Sequence, residues 1–305
     1  MARYFAPPAD YRPGLVYQLR YSLEGGDLRP TVLQLPNPDA SGRREAVVLV
    51  HGFNNHYGEA ARAYQGFRNQ QYRRYGDDLR APALEALLAD THWPGDAAWG
   101  VADLADFLVY PVAVGTARQA GPILAAYLSG LPNLEIVHFL GHSLGCRVVL
   151  ETVRHLSERP RVGKVCLMAA AVPVSKVEWG GELESAMTRA QSVLVLYSGS
   201  DLVLTAAFPP GQTLASGSEG FFPTALGHER PPPTVAGAVE AIDVPGAAHG
   251  HYWGHEDNAA SRSATRHAGD FLGLMQAPRS IEGRAAGAAA GEIPQREMPA
   301  ARQIG

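Results

Sequence analysis

One serine stands between two glycines in Gly141-His142-Ser143-Leu144-Gly145, between the strand-like EIVHFL and the helix-like CRVVLETVRHL. A serine hydroxyl attacks little until a base takes its proton and a neighbour holds that base in place. The G-x-S-x-G spacing suits a sharp strand-to-helix turn that lifts the hydroxyl above a sheet. Flanking glycines keep Cβ atoms out of the crowded corner, and the helix N-terminus aims N–H groups at an oxygen gaining negative charge. Such a corner serves acyl transfer; the plainer reading of Ser143 is a helix cap, a position serine favours.

The serine requires a carboxylate and a histidine later in the chain, each after a later strand. SVLVLYSGSD ends in Asp201, and AIDVPGAAHGHYW offers His249 after the last strand-like run. Asp201 is expected to hold the tautomer of His249 and stabilise its imidazolium. Asp243, inside AIDV, is the substitute acid, and a turn-forming role is the alternative for Asp201. His251 is the alternate base, and His255 is expected at the surface. His249, His251 and His255, with Glu256 and Asp257 behind them, also have a spacing that zinc could use; that reading leaves Ser143 and Asp201 without a role. For the oxyanion, the backbone N–H groups of Phe53, in VVLVHGFNN, and of Leu144 are the expected donors. His51 precedes the nucleophile and reads as a turn residue, His142 as a packing residue beside it, and Asn54 and Asn55 as loop residues.

These side chains must be positioned by strands and helices in alternation. Residues 15–35 read as a hairpin around EGGD. Short runs rich in β-branched residues at 45–53, 133–143, 163–172, 191–201 and 238–246 read as strands buried on both faces. Helical patterns occupy 57–75, 77–90, 101–129 with an interruption near YPVAVG, 144–158 and 259–275. The expected fold is α/β, a mostly parallel sheet flanked by helices with the N-terminal hairpin as an antiparallel edge. Residues 205–237, rich in Gly, Pro and Phe, read as a long irregular loop. Because 172–190 is short, a lid is expected from 93–122 or from 205–237. Trp93, Trp99, Phe107, Phe208, Phe221, Phe222, Tyr252 and Trp253 are candidates to line an acyl pocket. One domain is expected over 1–276, followed by a low-complexity tail at 277–305.

Twenty-six basic against 30 acidic residues, a net charge of −4, leave no excess to draw the chain to nucleic acid. Prolines and charges interrupt the N-terminal residues, and no apolar run reaches the length of a membrane span. Cys146 and Cys166 read as two buried thiols rather than a disulfide framework. A cytoplasmic location, no membrane span and no nucleic-acid partner are expected.

Together, VHGFNN, WPGD at 93–96, GHSLGCRVV, the acid after YSGS and the PGAAH close resemble the α/β-hydrolase superfamily over residues 45 to 275. More narrowly they resemble an uncharacterised bacterial hydrolase group with HGFNN and GHSLG signatures, of the DUF900 type. The resemblance favours His249 over His251, because PGAAH matches the close of many hydrolases. It implies the fold and a serine hydrolase; the expected reaction is cleavage of carboxylic esters through an acyl-enzyme, with a small-molecule ester as substrate and no cofactor or metal. Thioesters, lipids and amides use the same three residues. A non-catalytic binding protein on the same fold is the alternative from another class.

Overall fold

The computed structural model describes residues 6–22, 27–35, 43–75, 84, 86–95, 104–215 and 220–274. Eight strands form one sheet: β1 (Leu15–Arg20), β2 (Leu28–Leu35), β3 (Glu45–Val50), β4 (Leu88–His92), β5 (Ile136–His142), β6 (Arg161–Met168), β7 (Ser192–Tyr197) and β8 (Val239–Asp243). Their order is β2-β1-β4-β3-β5-β6-β7-β8, and only the β1–β2 pair is antiparallel. Val47 to Val50, Val137 to Leu140 and Val193 to Leu196 are buried as continuous runs, because helices cover both faces. On one face pack α1 (Tyr57–Tyr75) and α7 (Ala259–Leu272); on the other pack α2 (Leu104–Ser129) and α3 (Gly145–His155). The register pairs Val50 with Gly141, His142 with Met168 and Tyr197 with Asp243. The chain therefore leaves β3, β5, β7 and β8 at one edge of the sheet, where loops gather side chains from distant parts of the sequence.

Three expectations change. The stretch 77–90, expected as a helix, gives way to strand β4 at Leu88–His92, and 76–83 lies outside the described residues. LADTH conceals a buried strand because Asp90 and His92 are polar. Asp90 accepts bonds from Arg68 on α1 at 2.6 and 3.0 Å and from the Tyr11 hydroxyl at 2.7 Å, with the Arg68 and Asp90 side chains fully buried. The interruption near YPVAVG is absent: α2 runs on through Pro111 and Pro122. Its contact with α3 is close, since a Cβ at Gly121 would fall 2.3 Å from Glu151 Cβ, and this packing outweighs the local loss of helix hydrogen bonds. Finally, β1 joins β4 in parallel, so the antiparallel edge is β2 alone. The 23–26 turn, Trp99 and the 277–305 segment lie outside the described residues, as does the Phe107 side chain.

Removing one member of the Arg68–Asp90 pair leaves a buried charge without its partner. Arg68→Met is expected to destabilise the fold by about 3–5 kcal/mol, read from the urea midpoint. A change below about 1 kcal/mol would mean that Asp90 finds equivalent partners.

Candidate active site

Ser143 sits in the turn between β5 and α3 with φ at +52°, a left-handed conformation uncommon for a residue with a side chain. The turn is held by Ser143 N–H donating to Met168 O at 3.0 Å and by Cys146 and Ala171 N–H donating to Ser143 O. Space dictates the glycines: a Cβ at Gly145 would meet His51 O at 2.2 Å, and one at Gly52 would meet Ser143 Cβ at 2.9 Å. The loop after β3 and the serine corner therefore touch backbone to backbone. The Phe53 and Leu144 N–H groups face no acceptor among the described residues.

His249 opens a 3₁₀ turn (His249–Trp253) beyond β8, and Asp201 follows β7. His249 Nε2 lies 2.8 Å from Ser143 Oγ, and its Nδ1 lies 2.7 Å from Asp201 Oδ2. Asp201 is fully buried; its Oδ1 accepts the Val203 and Leu204 N–H groups at 3.0 and 3.1 Å. One carboxylate thus faces the imidazole with one oxygen and caps the next turn with the other. His251 is not gathered to this point: its Nε2 pairs with Glu256 at 3.0 Å and its Nδ1 accepts the Ala248 N–H. Asp243 remains in the β8 ladder opposite Tyr197. His255 is partly exposed beside Glu256. Among the described residues, no group of three or more His, Cys, Asp or Glu side chains is disposed to hold a metal ion.

A further layer fixes these groups. His142 Nε2–H donates to the His249 carbonyl at 2.8 Å, so His249 is anchored through its own backbone. The Tyr64 hydroxyl accepts the His51 N–H at 2.9 Å and donates to Thr91 O at 2.5 Å, bridging β3 and β4 where their ladder ends. Trp93, fully buried, donates to His51 O at 2.8 Å, and Asn54 N–H donates to Gly95 O at 2.7 Å. Asn55 closes the loop through the Gly52 and Phe53 carbonyls. His51 and His142 are thus positioning groups of this layer.

Burial holds His92 and His142 well below the ordinary histidine range, and both are neutral in the folded protein. In the unfolded chain they take up protons near pH 6.5. The unfolded state then binds more protons, so stability is full above about pH 6.5 and falls below it, by up to about 1.4 kcal/mol per pH unit for each histidine. Urea midpoints from pH 8 to 5 are expected to be flat and then to fall; a flat curve to pH 5 would show that these rings protonate freely in place.

A cavity of about 330 Å³ opens over Ser143 and His249, walled by Phe53, Tyr110, Ala171, Val203, Leu204, Ala207 and Phe208. Of the aromatic candidates, Phe208 lines it. Trp93, Tyr252 and Trp253 are core, and Phe221 and Phe222 are exposed. Val203, Leu204 and Ala207 belong to a π-helical turn (Val203–Ala207) that leads into α6 (Phe208–Leu214), so part of the expected loop is helical. Their signal in the sequence is only their place directly after Asp201. Tyr110 lies inside α2, donates to Gln212 at 3.2 Å, and carries no signal of its own.

The family model described as "Alpha/beta hydrolase of unknown function (DUF900)" matches residues 37–208. No curated protein matches the sequence. Among solved structures the chain is similar to SOBER1 of Arabidopsis thaliana, at 14% identity over 76% of this chain and 99% of that one, TM-score 0.40. It is similar also to an esterase of Pyrobaculum calidifontis, at 16% identity over 78% of each chain, TM-score 0.37. A third is LpqC, a poly(3-hydroxybutyrate) depolymerase of Bordetella parapertussis, at 13% identity over 80% and 85%, TM-score 0.37.

Proposed function

The chain belongs to the family of α/β hydrolases of unknown function (DUF900), and from that premise we propose a serine hydrolase that cleaves carboxylic esters through an acyl-enzyme. The reading is carried by the unbroken line Asp201 Oδ2, His249, Ser143 Oγ, with links of 2.7 and 2.8 Å, at the floor of an apolar cavity. His249 takes the Ser143 proton as the oxygen attacks the acyl carbon. The Phe53 and Leu144 amides, without a hydrogen-bond partner among the described residues, donate to the oxyanion of the tetrahedral intermediate. His249 then gives its proton to the leaving alcohol, and the same ring activates the water that frees the acid. Asp201 holds the proton on His249 Nδ1 throughout, so that Nε2 is the free base. No cofactor enters this sequence of steps. A cytoplasmic location is part of the proposal, supported by two free, buried thiols, Cys146 and Cys166.

The test is turnover of p-nitrophenyl esters together with labelling by a fluorophosphonate. Turnover with labelling confined to Ser143 supports the reading. Labelling without ester turnover would move the substrate to another acyl class, and absence of both would leave a binding protein on this fold.

A further inference from the structure

Resting on the serine-hydrolase reading, we infer that the substrate carries a long apolar chain, and that this chain leaves the cavity across the face formed by Val203, Leu214, Phe221 and Phe222. Large hydrophobic side chains are exposed together here: Leu202 is 76% exposed, Val203 44%, Leu214 56%, Phe221 84% and Phe222 57%. All five fall in the stretch that follows Asp201. From 202 to 227 the sequence holds a single formally charged residue, Glu219. Scattered exposed apolar residues need no explanation, whereas a grouped, uncharged set beside a cavity marks a binding surface.

The face meets the cavity at Val203. Val203 both lines the cavity and reaches solvent, while Leu204 next to it is buried in the wall. Residues 224–227 run alongside 170–174: Val174 N–H donates to Thr224 O, Leu226 N–H to Val172 O and Gly227 N–H to Ala170 O. Ala171, between the last two, is cavity wall. Phe222 stands four residues before Leu226, no more than about 13 Å away at the rise of an extended strand. From the other side its N–H donates to Thr213 Oγ1 at 2.7 Å, tying it to α6, whose first residue, Phe208, is also wall. The two rings lie 4.9 Å apart, edge to face, and form an exposed apolar shelf.

A cavity of about 330 Å³ is at the small end of ligand sites. A short acyl group stays inside it, and a longer one continues onto the shelf. Each methylene withdrawn from water contributes about fourfold in affinity, so a chain that covers even part of the shelf gains strongly over acetate.

The probes are two alkylphosphonofluoridates, ethyl and dodecyl, used below the concentration at which the longer one aggregates. Dodecyl is expected to label Ser143 at least 30-fold faster than ethyl. In Phe221→Ser/Phe222→Asn that ratio should fall at least tenfold; asparagine suits the φ of +46° at 222. Leu214→Ser, a separate exposed site, should lower it in the same direction. Equal rates for the two probes in the unaltered protein overturn the inference, as does an unchanged ratio in both variants. A dodecyl rate that rises only when the probe aggregates also overturns it and assigns the face to a lipid surface. If neither probe labels Ser143, the serine-hydrolase reading itself fails; if both label it alike, only the chain subsite does.

Discussion

Ser143→Ala is expected to lower ester turnover by about 10⁴- to 10⁶-fold, the range seen when the nucleophile of such a unit is removed. The melting temperature should stay within about 2 °C, because among the described residues the hydroxyl bonds only to His249 Nε2 and the turn is held by backbone bonds that alanine keeps. The positive φ is no harder for alanine than for serine. Activity and thermal unfolding measured on the same preparation separate the two roles. Unchanged turnover would return Ser143 to a capping role, and a fall of 10 °C or more would make it a structural residue.

Asp201→Asn is the second, with an expected loss of about 10⁴-fold in kcat. Asparagine keeps an oxygen for the Val203 and Leu204 N–H groups, so the turn after β7 retains its cap. Its amide nitrogen then faces His249 Nδ1 and donates to it, which puts the ring proton on Nε2. A ring protonated at Nε2 cannot accept the serine proton. Asp201→Ala removes the cap as well and is expected to be less stable by about 0.5–2 kcal/mol. The comparison separates a tautomer effect from a folding effect. If Asp201→Asn loses less than tenfold, Asp243 becomes the acid to test.

Much of the fold was legible in the sequence, because buried parallel strands read as apolar runs and the helices between them as amphipathic ones. The serine corner was legible through two glycines whose Cβ positions are filled by neighbouring atoms. Strand β4 was not. Its central side chain is an aspartate, and its burial is paid for by an arginine 22 residues earlier and a tyrosine 79 residues earlier. Pairings across such distances leave no periodicity. The continuity of α2 through two prolines was hidden for a similar reason, since the compensating contact is made by another helix. Choosing between His249 and His251 needed the resemblance to known hydrolases, because two histidines one residue apart look alike in composition. In three dimensions the 3₁₀ turn separates them, directing one ring to Ser143 and the other to Glu256. The apolar wall built from Val203, Leu204 and Tyr110 was the least legible part. They are ordinary hydrophobic positions until the turn after Asp201 brings Val203 and Leu204, and α2 brings Tyr110, over the serine.

Tyr64 gives the site an early point of failure on warming. Its hydroxyl ties the ends of β3 and β4 together where their ladder stops, and it is supplied by α1 rather than by the sheet. The loop carrying the Phe53 amide begins immediately beyond it, whereas Ser143, Asp201 and His249 hang from β5, β7 and β8. Loosening of α1 reaches the Phe53 amide while Ser143 and His249 are still aligned. Heat should therefore dull catalysis before it melts the protein: kcat bends downward several degrees below the melting midpoint, and Tyr64→Phe widens that gap. Activity and circular dichroism followed through one temperature ramp would reveal it, and coincident curves in both proteins would mean that the loop is held independently of the helix.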